Sequence, residues 1–414
     1  MASELLQPHG RRRPTSPGAG RLDTGSNQSG VRAYNERLVL SLIRAHGRLA
    51  KAELARLTGL SAQTVSVIVR QLDMEGLVLA AAPQKGKIGQ PSVPFSLNPD
   101  GASALGLKIG RRSAELALLD FIGRTRAHRE VHYAYPRPDD VLAFAKEAMD
   151  AVFAQAGKTM AEHCTGIGVA LPNEIWQWED EIAAPRGALN AWQTFDLEAR
   201  LAEWSGLPVQ SCNDASAACA AELLFGNPHG HHDFLYVFVG FFVGAGVVLD
   251  GTLYAGRSGN AGAIGSMPVG GRSGTRRQLL HEASLSGLEN RLVSAGLPAA
   301  HLLEAADEDW QALEADVAAW LDSAARGLAQ AIVAANAIID FQAVLIDGAF
   351  PAQIRARLVA KVQDETALLD QRGITPFRIE AGTLGRRARA VGGATLPLLQ
   401  HFARDRDVLF KMAV

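Results

Sequence analysis

From Ala104 to the C-terminus, short strand-like runs of apolar and β-branched residues alternate with helical patterns over about 310 residues. This alternation is the strongest constraint on the fold. Alternating strands and helices build a layered α/β body, and one core rarely grows past about 250–300 residues, so two lobes are expected. With 48% hydrophobic residues the chain can fill such cores. The longest apolar run, Phe234 to Leu249, contains three glycines and is shorter than the roughly 20 residues of a membrane span. Its aromatic and β-branched content reads as two buried strands joined by a glycine turn. Leu105 to Asp120 likewise reads as strand, turn, strand.

The first hundred residues have another texture. Residues 1–30 are rich in Gly, Pro, Ser and Arg and lack an apolar period, so a disordered tail is expected. The run Arg11-Arg12-Arg13 reads as solvated charge. From Val31 the pattern turns helical, with Leu38, Val39, Leu42 and Ile43 in one stripe. A short helix is expected over Lys51 to Thr58, and Gly59 and Leu60 turn the chain. Ser61 is a good cap for a third helix in which Val65, Ile68, Val69 and Leu72 repeat at helical spacing. Two short strands around a basic tip follow.

Leu54 and Ala55 before Gly59, and Leu60, Val65 and Ile68 after it, have the offsets of a helix-turn-helix. A basic strand pair behind it makes a winged form spanning 31–98. The net charge of -2 hides this unit: 13 Lys and Arg face 6 Asp and Glu up to Pro99, and 28 face 37 beyond it. A basic module joined to an acidic body points to DNA contact by the module alone. The outer side of the third helix presents Gln63, Thr64, Ser66, Val67 and Arg70. Ser61, Gln63, Thr64, Ser66 and Arg70 are the candidate contacts to bases or phosphates, and Lys85 and Lys87 on the wing face phosphates. Operator DNA is therefore the expected partner.

Cys164, Cys212 and Cys219 are far apart, with no C-x-x-C pair, which excludes a disulfide framework and a thiolate zinc cluster. With no apolar signal core near residue 1, a cytoplasmic, membrane-free protein is expected.

Several blocks resemble the ROK family (repressors, open reading frames, kinases). They are GIGVALPNEIWQWEDEIAAP from Gly166, LPVQSCNDASAACAAE from Leu207, AGAIGSMPVG from Ala261, HEASLSG from His281 and GLAQAIVAANAIIDFQAVLIDGAF from Gly327. The resemblance implies an actin-like, ribonuclease-H-like sugar-kinase fold over 99–414, behind the winged helix-turn-helix. Two lobes would meet near residue 212 around a ligand cleft, and a C-terminal helix would return to the first lobe.

The family's kinases hold ATP on glycine-rich elements, because phosphate needs close backbone approach and unblocked N–H groups. Here the D-x-G-x-T element reads Lys108-Ile109-Gly110-Arg111-Arg112. The G-T-G-x-G-A-G element reads Gly240-Phe241-Phe242-Val243-Gly244-Ala245-Gly246, and a Gly-Gly near adenosine has become Asp347-Gly348-Ala349-Phe350. No cofactor and no phosphorylation are expected. Lys108, Arg111 and Arg112 read as solvated or paired with acids such as Glu115.

On the sugar side, Asn213 and Asp214 match the family's Asn-Asp pair, a set suited to a polyol. Asn213 is equally a helix cap. Glu282 matches a further ligand and Asn190 aligns loosely with another, whereas the family's Glu and His are Ala263 and Ser266. The zinc site is missing, so no metal is expected. His229, His231, His232 and Asp233 read as a solvated loop. The leading reading is a regulator of carbohydrate metabolism, a repressor in the first instance, with a kinase-dead cleft that senses a sugar or sugar derivative in a homodimer or homotetramer. The alternatives are a sugar kinase with an appended DNA-binding unit and a ligand-independent regulator.

Overall fold

The structure is a computed structural model that describes residues 28–83, 92–182, 184–270, 276–297 and 307–404. Most of the expected tail, including Arg11-Arg12-Arg13, and the wing tip with Lys85 and Lys87 lie outside the described residues. The N-terminal unit has α1 (Gln28–His46), β1 (Leu49–Ala50), α2 (Lys51–Thr58), α3 (Ala62–Met74), β2 (Val78–Ala80) and β3 (Pro94–Leu97). Its strands pair antiparallel in the order β1-β3-β2, behind the helices. α1 starts at Gln28, three residues earlier than the apolar stripe alone predicts.

The first lobe carries β4 (Ser103–Ile109), β5 (Ser113–Asp120), β6 (Thr125–His132), α4 (Pro138–Ala156), α5 (Lys158–Glu162), β7 (Cys164–Leu171), α6 (Leu197–Ser205), β8 (Val209–Asn213) and α7 (Asp214–Phe225). Its sheet runs β6-β5-β4-β7-β8, a three-strand antiparallel meander extended by two parallel strands. The second lobe carries β9 (Phe234–Val239), β10 (Val243–Leu249), β11 (Thr252–Tyr254), β12 (Pro268–Gly270), β13 (Arg276–Gln278), α8 (Leu279–Ala283), α9 (Leu285–Ser294), α10 (Asp307–Ala312), α11 (Glu314–Ile339), β14 (Ala343–Gly348), α12 (Ala352–Ala367), β15 (Arg378–Ala381) and α13 (Ala388–Phe402). Its sheet runs β11-β10-β9-β14-β15 with the same division into antiparallel and parallel halves. The two lobes thus repeat one topology.

The run from Phe234 forms β9 and β10, joined at Gly240-Phe241-Phe242. β9 is buried along its whole length because β10 and β14 pair with it on both sides. α13 crosses back onto β4 and β7, beside α7. It comes so close that a Cβ on Gly392 would strike the Ala217 carbonyl and one on Gly106 would strike the backbone of Ala394. Glycine is required there for lack of space rather than for its dihedral freedom.

Candidate functional site

The helix-turn-helix follows from local chemistry. Gly59, at φ 72°, ends α2 in the left-handed conformation and donates its N–H to the Ala55 carbonyl at 3.0 Å. Ser61 starts α3, its Oγ accepting from the Thr64 N–H at 3.1 Å. The Ser61 hydroxyl also meets Thr64 Oγ1 at 2.8 Å, so it serves the helix start. Val65, Ile68, Val69 and Leu72 are buried against Leu54 and α1. Gln63, Thr64, Ser66 and Arg70 are exposed on the opposite side, and Val67 beside them is 61% exposed. An apolar, β-branched residue so exposed in mid-helix gains nothing from the fold.

The second surface is a cleft of about 840 Å³ between the lobes, the size of a small-ligand site. Asn213 ends β8 and Asp214 opens α7 on its floor. The Asn213 Oδ1 accepts from the Ala215 N–H at 3.0 Å, so the amide caps the helix. Asp214 receives Arg389 Nη1 at 3.0 Å, and the Arg389 guanidinium lies over the Phe238 ring at 5.0 Å. Ala263 and Ser266 line the cleft on the second lobe.

Two expected ligand residues do not join them. Glu282 sits on α8 and accepts from Ser323 Oγ of α11 at 2.5 Å, in a separate groove with Arg326 and Gly327. Leu280, two residues earlier and therefore on the far side of the same turn, faces the cleft instead. Asn190 is exposed in a short 3-10 turn, where the Gln193 amide donates to it at 3.3 Å. Trp192 takes the inward position, its indole N–H donating to the Pro136 carbonyl at 2.8 Å. The first-lobe wall comes from Asn173, Glu174, Gln177 and Trp178.

Where a kinase of this type needs glycine amides, the cleft is filled by paired side chains. Lys108 Nζ lies 2.6 Å from Glu115 Oε1 and 3.3 Å from Ser113 Oγ. Burial alone would raise Glu115, but the hydrogen bond from His128 and the Lys108 ammonium overcome it and hold the carboxyl well below the usual range. Tyr133 Oη lies 2.8 Å from both the Gly110 and Ser113 carbonyls, which share its one proton, and it locks the turn. Arg111 stacks directly on Phe241, and burial pushes its guanidinium down to about 8. Phe242 meets Trp178 of the first lobe with ring centres 4.5 Å apart. The loop amides are also engaged: Gly240 N–H donates to Phe242 O at 3.2 Å, and Val243 N–H to Ser284 Oγ at 2.9 Å.

Trp178, Glu289, Arg386, Arg387 and Arg389 line the same cleft and were not anticipated. The arginines had a signal: three cations at the start of a helical pattern, where the helix end is already positive.

The ROK family matches residues 104–399, and a winged helix-turn-helix DNA-binding family matches residues 32–78. This chain belongs to the ROK family. The uncharacterized protein y4fQ of Sinorhizobium fredii is 28% identical over 372 residues, 89% of this chain and 92% of its own. The xylose repressor of Caldicellulosiruptor bescii is 26% identical over 281 residues, 66% of this chain and 69% of its own. The crystal structure of a ROK family transcriptional regulator, a homologue of the E. coli MLC protein, covers 92% of this chain with 98% of its own, at a TM-score of 0.65 and 22% identity. Among the described residues no helix is long and apolar enough to cross a membrane.

In this ROK domain, α7 and α13 both begin at the cleft and end beneath the winged helix. At 1.5 Å per residue, α13 is about 22 Å long. Ala221 of α7 and Ala394 and Leu398 of α13 share one core with Val39, Leu40 and Ile43 of α1. Arg44 pins this junction. Its Nη1 donates to the Phe121 carbonyl at 2.7 Å, and its guanidinium lies over Phe121 and Phe225 at 5.0 and 5.3 Å.

Proposed function

We propose that this chain is a transcriptional repressor that binds operator DNA through α3 and the wing, and that its ROK cleft senses a carbohydrate without transferring phosphate. One observation carries the reading. The helix that presents Asp214 to the cleft and the helix that presents Arg389 both reach the core shared with α1 of the DNA-binding unit. A ligand that engages Asp214 acts on the Asp214–Arg389 pair and so on the α7–α13 rod. The rod sets the angle of the winged helices in a dimer or tetramer, whose half-sites must lie about 34 Å apart. The repressor role and the carbohydrate effector are supported by the name of the Caldicellulosiruptor relative. A cytoplasmic setting agrees with three cysteines left as thiols.

The absence of phosphoryl transfer is supported by Lys108, which stands where the D-x-G-x-T element carries its Asp and is held by Glu115. It is supported equally by the Arg111, Phe241, Phe242 and Trp178 stack across the phosphate side. A thermal-shift screen of the full chain against sugars and polyols tests the sensor, since a ligand at 100 times its Kd stabilises the fold by about 2.7 kcal/mol. An ATP-turnover assay with the same sugars tests the other half. Turnover that depends on Asp214 would establish the kinase reading instead.

A further inference from the structure

We infer that the cleft takes an anionic carbohydrate, a sugar bearing a carboxylate or a phosphate, with its charged group on Arg386 and Arg389. This deepens the effector reading above and rests on it. The first turn leading into α13 carries Arg386, Arg387 and Arg389, with no acidic residue in it and no side-chain cap. A helix N-terminus is the positive end of the peptide dipoles and disfavours cations. Three arginines there break a local rule, and such breaks without structural compensation mark functional positions.

The compensation is incomplete. Arg386 Nε and Nη2 and Arg389 Nε are closed off from solvent and have no hydrogen-bond partner among the described residues. A buried guanidinium N–H without an acceptor is an unfinished arrangement. Acids that line the cleft already have cationic partners. Glu115 is held by Lys108, Asp214 by Arg389, and Glu289 lies in the field of Arg111 and Arg112. The Arg386 end is left short of negative charge.

Arg386 and Arg389 are three residues apart and project from one face of the turn, and both line the cavity together with Asp214. A carboxylate or phosphate matches the guanidinium fork in shape and charge. Such a group would share Arg389 with Asp214 and free a carboxylate oxygen to accept sugar hydroxyls. A neutral sugar answers only the Asp214 half of the site. Guanidinium groups on α13, rather than backbone amides, would then hold the anion.

The test is calorimetric titration of the full chain with glucose, xylose and N-acetylglucosamine, each beside its phosphate ester, and with glucuronate. At least one charged probe is expected to bind about ten-fold more tightly than its neutral parent, with an affinity that falls as salt is added. In Arg386→Gln and Arg386→Met, both checked for folding by circular dichroism, that gap is expected to shrink to about three-fold or less. The glucuronate and phosphate arms tell the two anions apart. A neutral parent that binds as tightly as its charged forms, or a gap that persists in both variants, overturns the inference and leaves the effector reading standing. Binding by none of the probes overturns both.

Discussion

Asp214→Asn strands the Arg389 guanidinium. The two side chains are 3.0 Å apart and only 19% and 15% exposed. At an effective dielectric near 20 their attraction is about 5 kcal/mol, and desolvation of the two charges cancels most of it when the intact pair is formed. The cost of breaking the pair therefore depends on what the survivor finds. Arg389 keeps the face of Phe238 but has a buried Nε without a partner, so Asp214→Asn is expected to cost about 3 kcal/mol. Asp214 left alone still sits in the first turn of α7, where the helix end favours a negative charge. Arg389→Met is therefore expected to cost only about 1–2 kcal/mol. The double variant removes both charges, and its coupling energy is expected to be about 2–4 kcal/mol. Urea unfolding of the four proteins measures all three quantities. A coupling below about 0.5 kcal/mol, or an Arg389→Met cost above that of Asp214→Asn, refutes the reasoning.

Three further outcomes follow from the geometry. Burial pushes the Arg44 guanidinium down to about 10, a desolvation cost of about 3 kcal/mol that nearly cancels its charged hydrogen bond and two ring contacts. Arg44→Met should thus change the free energy of urea unfolding by less than about 2 kcal/mol, yet raise hydrogen exchange where α1 meets Phe121. Burial raises the Glu222 carboxyl above its ordinary range, although Asn227 and Thr383 hydrogen-bond to it. The native state keeps that proton after the unfolded chain has lost it. Stability from this group therefore falls as pH rises from about 4.3 through the raised value. Glu222→Gln should be about 1–3 kcal/mol less stable, because an N–H donor then faces an amide, but its pH profile should lack this downward slope relative to the parent. Val67→Ala should weaken operator binding by about 1 kcal/mol. Where α3 lays Val67 on a thymine methyl, as the proposed docking would have it, deoxyuridine at that position should weaken the parent equally and the variant not at all, as titrations with selected DNA sites would reveal.

The fold was legible because period and turn chemistry act locally. Gly59, Ser61 and the Val65–Leu72 stripe specify the helix-turn-helix, and the apolar run around Gly240 specifies a buried hairpin. The site was legible only in part. Asn213 and Asp214 lie at the β8–α7 junction, so chain order alone brings them to the cleft. Glu282 and Asn190 lie off the cleft because a motif match fixes the turn but not which of two neighbours points inward, and Leu280 and Trp192 took the inward positions by packing. The pairing of Arg389 with Asp214 was invisible for the opposite reason. Arg389 lies 175 residues from Asp214, and only the return of α13 between the lobes joins them.

In the proposed mechanism the cleft speaks to the DNA through α7 and α13. The most direct measurement is the affinity of the full chain for its operator with and without a carbohydrate that stabilises it, in the parent and in Asp214→Asn. A change of about ten-fold or more is expected in the parent, about 1.4 kcal/mol of coupling, and none in the variant. A carbohydrate that binds the cleft and leaves operator affinity unchanged, or a variant that keeps the full response, would contradict the mechanism.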